Sequence, residues 1–221
     1  MFLSRVELPW EAVRNPYDIH RHLWRLFPGE PCEVRTDGAR QGFLYRIETQ
    51  GTGRSARLLL QSRQAPTYIE GVTLLASKPF DPAPVEGQRL AFVLTANPTK
   101  TVVDALSENK PDKLMRHQEK LAQRPDKKSR PPSCRVPLIK EEDQRAWLAR
   151  KLGMAAELEG IKILPHPPLY FRKGNRAGKL VTCTFEGVLR VTSAEALRAM
   201  LENGIGPAKA FGCGLLLVRR V

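Results

Sequence analysis

The sequence predicts an α+β chain of two tandem ferredoxin-like units, each running β-α-β-β-α-β. Three observations predict it. Strand-like alternation and helical stripes follow one another in that order twice along the chain. A proline-rich stretch, Lys78 to Gly87, separates the two series and cannot continue a sheet interior. The 221 residues, 42% of them apolar, are enough for two small cores. The expected units are 1–84 and 85–221, and the split β-α-β arrangement accommodates both with right-handed crossovers.

The first unit opens with Phe2 to Leu8, whose apolar and polar residues alternate as in a half-buried strand. Asn15-Pro16-Tyr17-Asp18 then supplies an N-cap, a proline at the first helical position and an acid at the third. On that helix Ile19, Leu23, Leu26 and Phe27 form one apolar stripe. Tyr17, Arg21, Trp24 and Arg25 fall on the far side, and His20 sits at the border, partly exposed beside Tyr17. Phe43 to Thr49 and Arg57 to Ser62 are expected to pair as a hairpin across Gln50-Gly51-Thr52-Gly53. A short second helix over Thr67 to Gly71 and a strand over Val72 to Ala76 complete the unit.

The second unit begins with a strand, Arg89 to Ala96. A long polar stretch follows, Ser107 to Arg130, with eight Lys or Arg against four acids. It is expected to be a mobile loop, equally readable as an RNA-contacting arm or as a solvated insertion. Lys140 to Leu152 has a helical pattern that stops at Gly153. Leu158 to Phe171 and Leu180 to Thr192 form a hairpin, interrupted by Pro165, Pro167 and Pro168, whose tip carries Arg172, Lys173, Arg176 and Lys179. That tip is open to two readings, a phosphate-binding patch or a solvated turn. Ser193 caps a helix to Asn203, which leads through a glycine-rich loop into a last strand, Leu215 to Val218.

The loop, G-I-G-P-A-K-A-F-G-C-G from Gly204 to Gly214, is the most unusual stretch of the chain. Gly204, Gly206, Gly212 and Gly214 permit positive φ and close backbone approach, and N–H groups exposed in this way can cradle a phosphate with Lys209 as a point charge. The alternative is a helix C-cap and a tight turn. No Ser or Thr follows the lysine and an apolar strand follows instead of a helix, so a nucleotide-hydrolysing P-loop is excluded.

Lys plus Arg number 36 against 23 acids, a formal net charge of +13 with pI near 10.0, which together with a folded core points to nucleic acid as partner. No apolar run approaches the roughly 20 residues of a spanning helix, and the N-terminus lacks a basic leader, so no membrane partner and a cytoplasmic location are expected. Cys32, Cys134, Cys183 and Cys213 form no C-x-x-C pair, and His20 and His22 diverge on a helix. Neither a metal site nor a cofactor is expected.

Several segments together resemble one family. They are M-F-L-S-R-V at the start, N-P-Y-D-I-H-R-H-L-W-R-L-F-P from 15, L-L-L-Q-S from 58, A-N-P-T-K-T from 96 and C-R-V-P-L-I-K from 134. A-W-L-A-R-K-L-G from 146, F-E-G-V-L from 185 and G-I-G-P-A-K-A-F-G-C-G-L-L from 204 extend the match over nearly the whole chain. The chain is identified by them as similar to the CasE endoribonucleases of the RAMP superfamily, which process CRISPR precursor RNA in type I-E systems. The resemblance implies metal-independent cleavage on the 3′ side of a repeat hairpin, by attack of the 2′-hydroxyl on the adjacent phosphate, with the product kept in the Cascade complex beside its other subunits. It implies His20 as the catalytic histidine and Tyr17 as its partner. Arg25 stands where some relatives have lysine and suits a role in neutralising charge on the phosphate. Arg172, Lys173, Arg176 and Lys179 resemble the family's basic hairpin, and the glycine loop its RNA-binding loop. A non-catalytic RAMP-type scaffold and a general RNA chaperone are the competing classes.

Overall fold

The computed structural model describes residues 1–28, 42–50, 55–103 and 133–221. In the first half these form β1 (Phe2–Leu8), α1 (Trp10–Val13), α2 (Pro16–Trp24), β2 (Phe43–Gln50), β3 (Ala56–Ser62) and β4 (Thr73–Pro79). The strands make one antiparallel sheet in the order β2-β3-β1-β4. Alternation decides its faces: Val6 and Leu8 point into the core, while Arg5 points out and pairs with Glu48 at 2.9 Å. The stripe Ile19, Leu23, Leu26 and Phe27 is buried against Phe43, Leu58 and Leu60, as its spacing predicts.

Two expectations for this half are corrected. Thr67 to Gly71 forms no helix; it bends through a turn closed by a bridge between Ile69 and Val72, with Gly71 at φ 84°. Five residues are too few to offset the cost of nucleating a helix. Thr67 instead donates both its N–H (2.9 Å) and its hydroxyl (2.8 Å) to the Leu26 carbonyl just past the end of α2. β4 also runs on through Pro79, beyond the expected end at Ala76, because it is an edge strand where a missing N–H leaves no ladder bond unmade.

The second half comprises β5 (Arg89–Ala96), β6 (Thr99–Val103), β7 (Ser133–Pro137), α3 (Glu141–Leu152), β8 (Ala156–Pro165), β9 (Leu169–Lys173), β10 (Arg176–Leu180), β11 (Cys183–Val191), α4 (Ala194–Asn203), a 3₁₀ turn at Lys209–Phe211 and β12 (Leu216–Arg220). Its main sheet has the order β12-β5-β11-β8, the same relative order as the first sheet once the strands are counted from β5. The two sheets thus bear out the tandem ferredoxin-like architecture. Trp147 of α3 stacks on Phe185 of β11, centroids 6.1 Å apart, at the centre of this core.

Two ribbons project from the second half: β6 with β7, and β9 with β10. The first was not expected from the sequence. The second matches the basic hairpin, except that its turn is Gly174-Asn175 and the cations lie on the strands. The stretch 107–130 read as a mobile loop lies outside the described residues.

Candidate active site and nucleic-acid interface

α2 begins where the sequence places it, and Asn15 does more than cap it. Its side-chain oxygen accepts from the Tyr17 N–H at 3.4 Å and from the Arg172 N–H at 3.1 Å. Its amide nitrogen donates to the Arg172 carbonyl at 3.1 Å and to the Asp18 carboxylate at 2.7 Å. One side chain therefore bonds both main-chain groups of a β9 residue, as a neighbouring strand would, and fixes the basic ribbon to the first turn of α2. Sequence reasoning found the cap and missed the join, which spans 157 positions.

Tyr17 sits in the aromatic corner this join creates. Its ring stacks on Phe171 of β9 (6.4 Å, 16°) and lies against Phe211 of the 3₁₀ turn (6.3 Å), and those two rings meet at 4.5 Å. The Lys173 ammonium lies 5.3 Å from the Tyr17 centroid, close enough for a cation–π attraction. Phe171 can lie across the ribbon only because its partner on β10 is Gly178: a Cβ there would come within 2.2 Å of the ring.

His20, one turn further on, is half-buried. Its ring is 5.0 Å from Phe43 and meets Trp24 edge-on at 5.8 Å. Trp24 is thus drawn in by Phe43, not left on the far side of the helix as its angle suggests. The Nε2 atom of His20 is buried and has no hydrogen-bond partner among the described residues. Burial alone pushes the imidazole pKa down to about 4, so the neutral ring is the resident form at pH 7. Arg25, the C-cap residue, is exposed, and its guanidinium donates to the Glu70 carbonyl at 3.3 Å. Its charge acts on His22, whose pKa is lowered first by burial and then by Arg25. The structure groups Tyr17 and His20 on one helix and sets Arg25 apart at its end.

The ribbon divides its four cations between two faces. Phe171 opposes Gly178 and Lys173 opposes Arg176, so these four share the face turned to Tyr17. Arg172 and Lys179 share the other face with Tyr170, over whose ring Lys179 lies at 5.9 Å. All four cations are exposed, and none makes an ion pair among the described residues.

In the glycine loop Gly204, Gly206, Gly212 and Gly214 all have positive φ, from 72° to 93°. Several amides there are engaged inside the protein: Gly204 N–H to Met200 O (2.8 Å), Ile205 to Gly214 O (2.9 Å), Gly212 to Lys209 O (3.2 Å) and Gly214 to Thr95 O (2.8 Å). At those positions the cap-and-turn reading describes the backbone. Close approach is also real, since a Cβ on Gly204 would lie 2.8 Å from Leu44 and one on Gly206 2.9 Å from Trp147. Lys209 donates its ammonium to the Asn203 carbonyl at the end of α4, and burial lowers its pKa. Tyr45 holds the loop from below, its hydroxyl donating to Ala210 O at 2.7 Å.

Among the described residues no cluster of His, Cys, Asp and Glu is arranged to hold a metal ion, and no helix is long and apolar enough to cross a membrane. Cys183 and Cys213 are free and buried, and burial pushes both thiols up to about 12.

The family described as CRISPR associated protein matches residues 1–220. The chain is 40% identical over 216 residues to the CRISPR system Cascade subunit CasE of Escherichia coli, with 98% of each chain covered. It is 31% identical over 223 residues to the CRISPR-associated endoribonuclease Cse3 of Thermus thermophilus, covering 93% of this chain and 90% of that one. The structure is similar to the crystal structure of Cas6e from Escherichia coli, with a TM-score of 0.77 at 37% identity and both chains covered in full. It is also similar to Thermus thermophilus Cse3 bound to an RNA representing a pre-cleavage complex, with a TM-score of 0.68 at 26% identity over 99% of this chain and 100% of that one.

Proposed function

Since the chain belongs to the CRISPR associated protein family, we propose that it binds the hairpin of a CRISPR repeat and cuts precursor RNA without a metal ion, holding the product within a Cascade complex in the cytoplasm. The units 1–84 and 85–221 divide the work: the first carries the reactive helix and the second carries the basic ribbon and the glycine loop. The observation that carries this reading is a half-buried neutral histidine one turn from a tyrosine fixed by three groups of the other unit.

The chemistry follows from those two side chains. His20, neutral at pH 7, accepts the proton of a ribose 2′-hydroxyl as its oxygen forms a bond to the adjacent phosphorus. The bond from phosphorus to the 5′-oxygen breaks, leaving a 2′,3′-cyclic phosphate and a 5′-hydroxyl. An anionic phosphate beside the imidazole favours its charged form, which raises the pKa and lets the ring return a proton to the leaving oxygen. Tyr17, held in register with His20, orients the reacting phosphate. Lys173 and Arg176 on the same ribbon face supply positive charge to the phosphates. Arg25, turned to Glu70, serves phosphates further from the cut.

The alternative is an RNA-holding scaffold that does not cut. Incubation of the source organism's repeat RNA with the protein in EDTA separates the two, because only the nuclease yields a cyclic phosphate end. Loss of cutting in EDTA, restored by a divalent ion, would replace the metal-free mechanism.

A further inference from the structure

The glycine loop also lines an open groove of about 760 Å³. Its walls are Thr99 and Thr101 of β6, Arg135 of β7, Lys151 at the end of α3, and Asn203 with Gly206 to Lys209 of the loop. Among the described residues no acidic side chain lines it. Arg135 and Lys151 are exposed and make no ion pair among the described residues, and the Oδ1 of Asn203 is buried without a hydrogen-bond partner there.

We propose that this groove binds a single-stranded stretch of RNA flanking the repeat hairpin, a reading that rests on the function proposed above. Two features select that ligand. The charged residues that line it among those described are all cations, and two of them make no ion pair there, as a phosphodiester backbone requires. A volume of about 760 Å³ falls in the range of pockets that enclose small ligands, enough for a nucleotide or two of single strand.

Position completes the argument. The Phe211 ring packs against Tyr17, while Gly206 to Lys209 line the groove, so one short loop touches both α2 and the groove.

The test uses the full-length protein and a repeat hairpin carrying a 2′-deoxy sugar at the cut, alone or extended by six uridines at its 5′ or 3′ end. Affinities are measured over a range of salt for the wild type and for the double variant Arg135→Ala, Lys151→Ala, whose folding is verified by its melting temperature. In the wild type one of the two extensions is expected to tighten binding several-fold and to steepen the slope of log affinity against log salt by about 1.4, near 0.7 for each of two contacts. In the double variant that extension adds neither affinity nor slope, and the bare hairpin binds within two-fold of the wild type. An extension that adds equally in both proteins overturns the assignment. So does a wild type indifferent to both extensions, the result expected if the groove receives an acidic segment of a protein. Uncut all-ribose hairpin would count instead against the nuclease reading, so the two failures are told apart.

Discussion

The two main sheets have the same strand order but different support. The second is backed by α3 and α4 of its own half, whereas in the first the stretch expected to supply a second helix is a turn. The first sheet borrows from its neighbour: Gln61 of β3 donates to the Leu201 carbonyl of α4 at 2.6 Å, and the glycine loop rests on Leu44 and Tyr45. The same asymmetry governs the reactive helix. Tyr17 and His20 belong to the first half, yet Arg172, Phe171, Phe211 and Lys173, which fix its first turn, all belong to the second. Under the function proposed above, cleavage would therefore depend on residues remote in sequence from His20.

The largest break in this comparison is made within the first half. His20→Ala is expected to lower single-turnover cleavage by roughly 10² to 10⁴ while RNA affinity changes only a few-fold. Unchanged cleavage would remove His20 from the chemistry. The same residue gives a pH signature. Its pKa is about 4 in the fold against the ordinary 6.5 of an imidazole, so the unfolded chain takes up a proton between those values and the folded chain does not. Stability is intact above pH 6.5 and falls as pH drops towards 4, by at most about 3 kcal/mol. His22 and His166 shift in the same direction, so the contribution of His20 is the part of the slope that His20→Gln flattens in urea melts at several pH values.

The next break is made at the join. Asn15→Ala loses the cap, worth about 1 kcal/mol, and frees the ribbon, which should slow cleavage by about 10²-fold through misplacement of Tyr17. Asn15→Asp keeps a capping oxygen but can donate neither to Arg172 O nor to the Asp18 carboxylate, which it repels, so it should lose rate and some stability together. Wild-type rates in Asn15→Asp would show that the join has no bearing on the chemistry.

Smaller effects sharpen the picture. Gly178→Ala drives Phe171 off its seat and should lower stability by about 1–3 kcal/mol, read by thermal melts together with a loss of the Tyr17 contact in fluorescence. Last, the two ribbon faces can be separated. Lys173→Ala with Arg176→Ala should reduce the salt slope of hairpin binding by about 1.8, on about 0.9 per contact. Arg172→Ala with Lys179→Ala should change it less. Equal reductions would mean that the RNA embraces both faces.

Local signals in the sequence were enough for much of this. The 3.6-residue stripe of α2, its Asn-Pro start and the period-two alternation of β1 depend only on neighbours, and each element appears where predicted. The β6–β7 ribbon was not legible because its strands, 99–103 and 133–137, are separated by a long polar stretch and are too short to announce themselves alone. The cations at 172–179 were read as one tip, since the position of the turn at Gly174 and hence the face of each side chain are set by register. Tyr17 and His20 could be singled out, but not the Phe171–Gly178 seat or the Arg172 main chain that position them. The first rests on strand register within the ribbon and the second is a contact between halves, and no periodicity encodes either.

One consequence of the join concerns the age of the molecule. Asparagine converts slowly to aspartate when the nitrogen of the following residue attacks the side-chain carbonyl and closes a succinimide ring. Asn15 is followed by Pro16, whose nitrogen carries no hydrogen to lose. That ring cannot form, so the amide that links the two halves is protected from the commonest route of asparagine decay by the same proline that starts the helix.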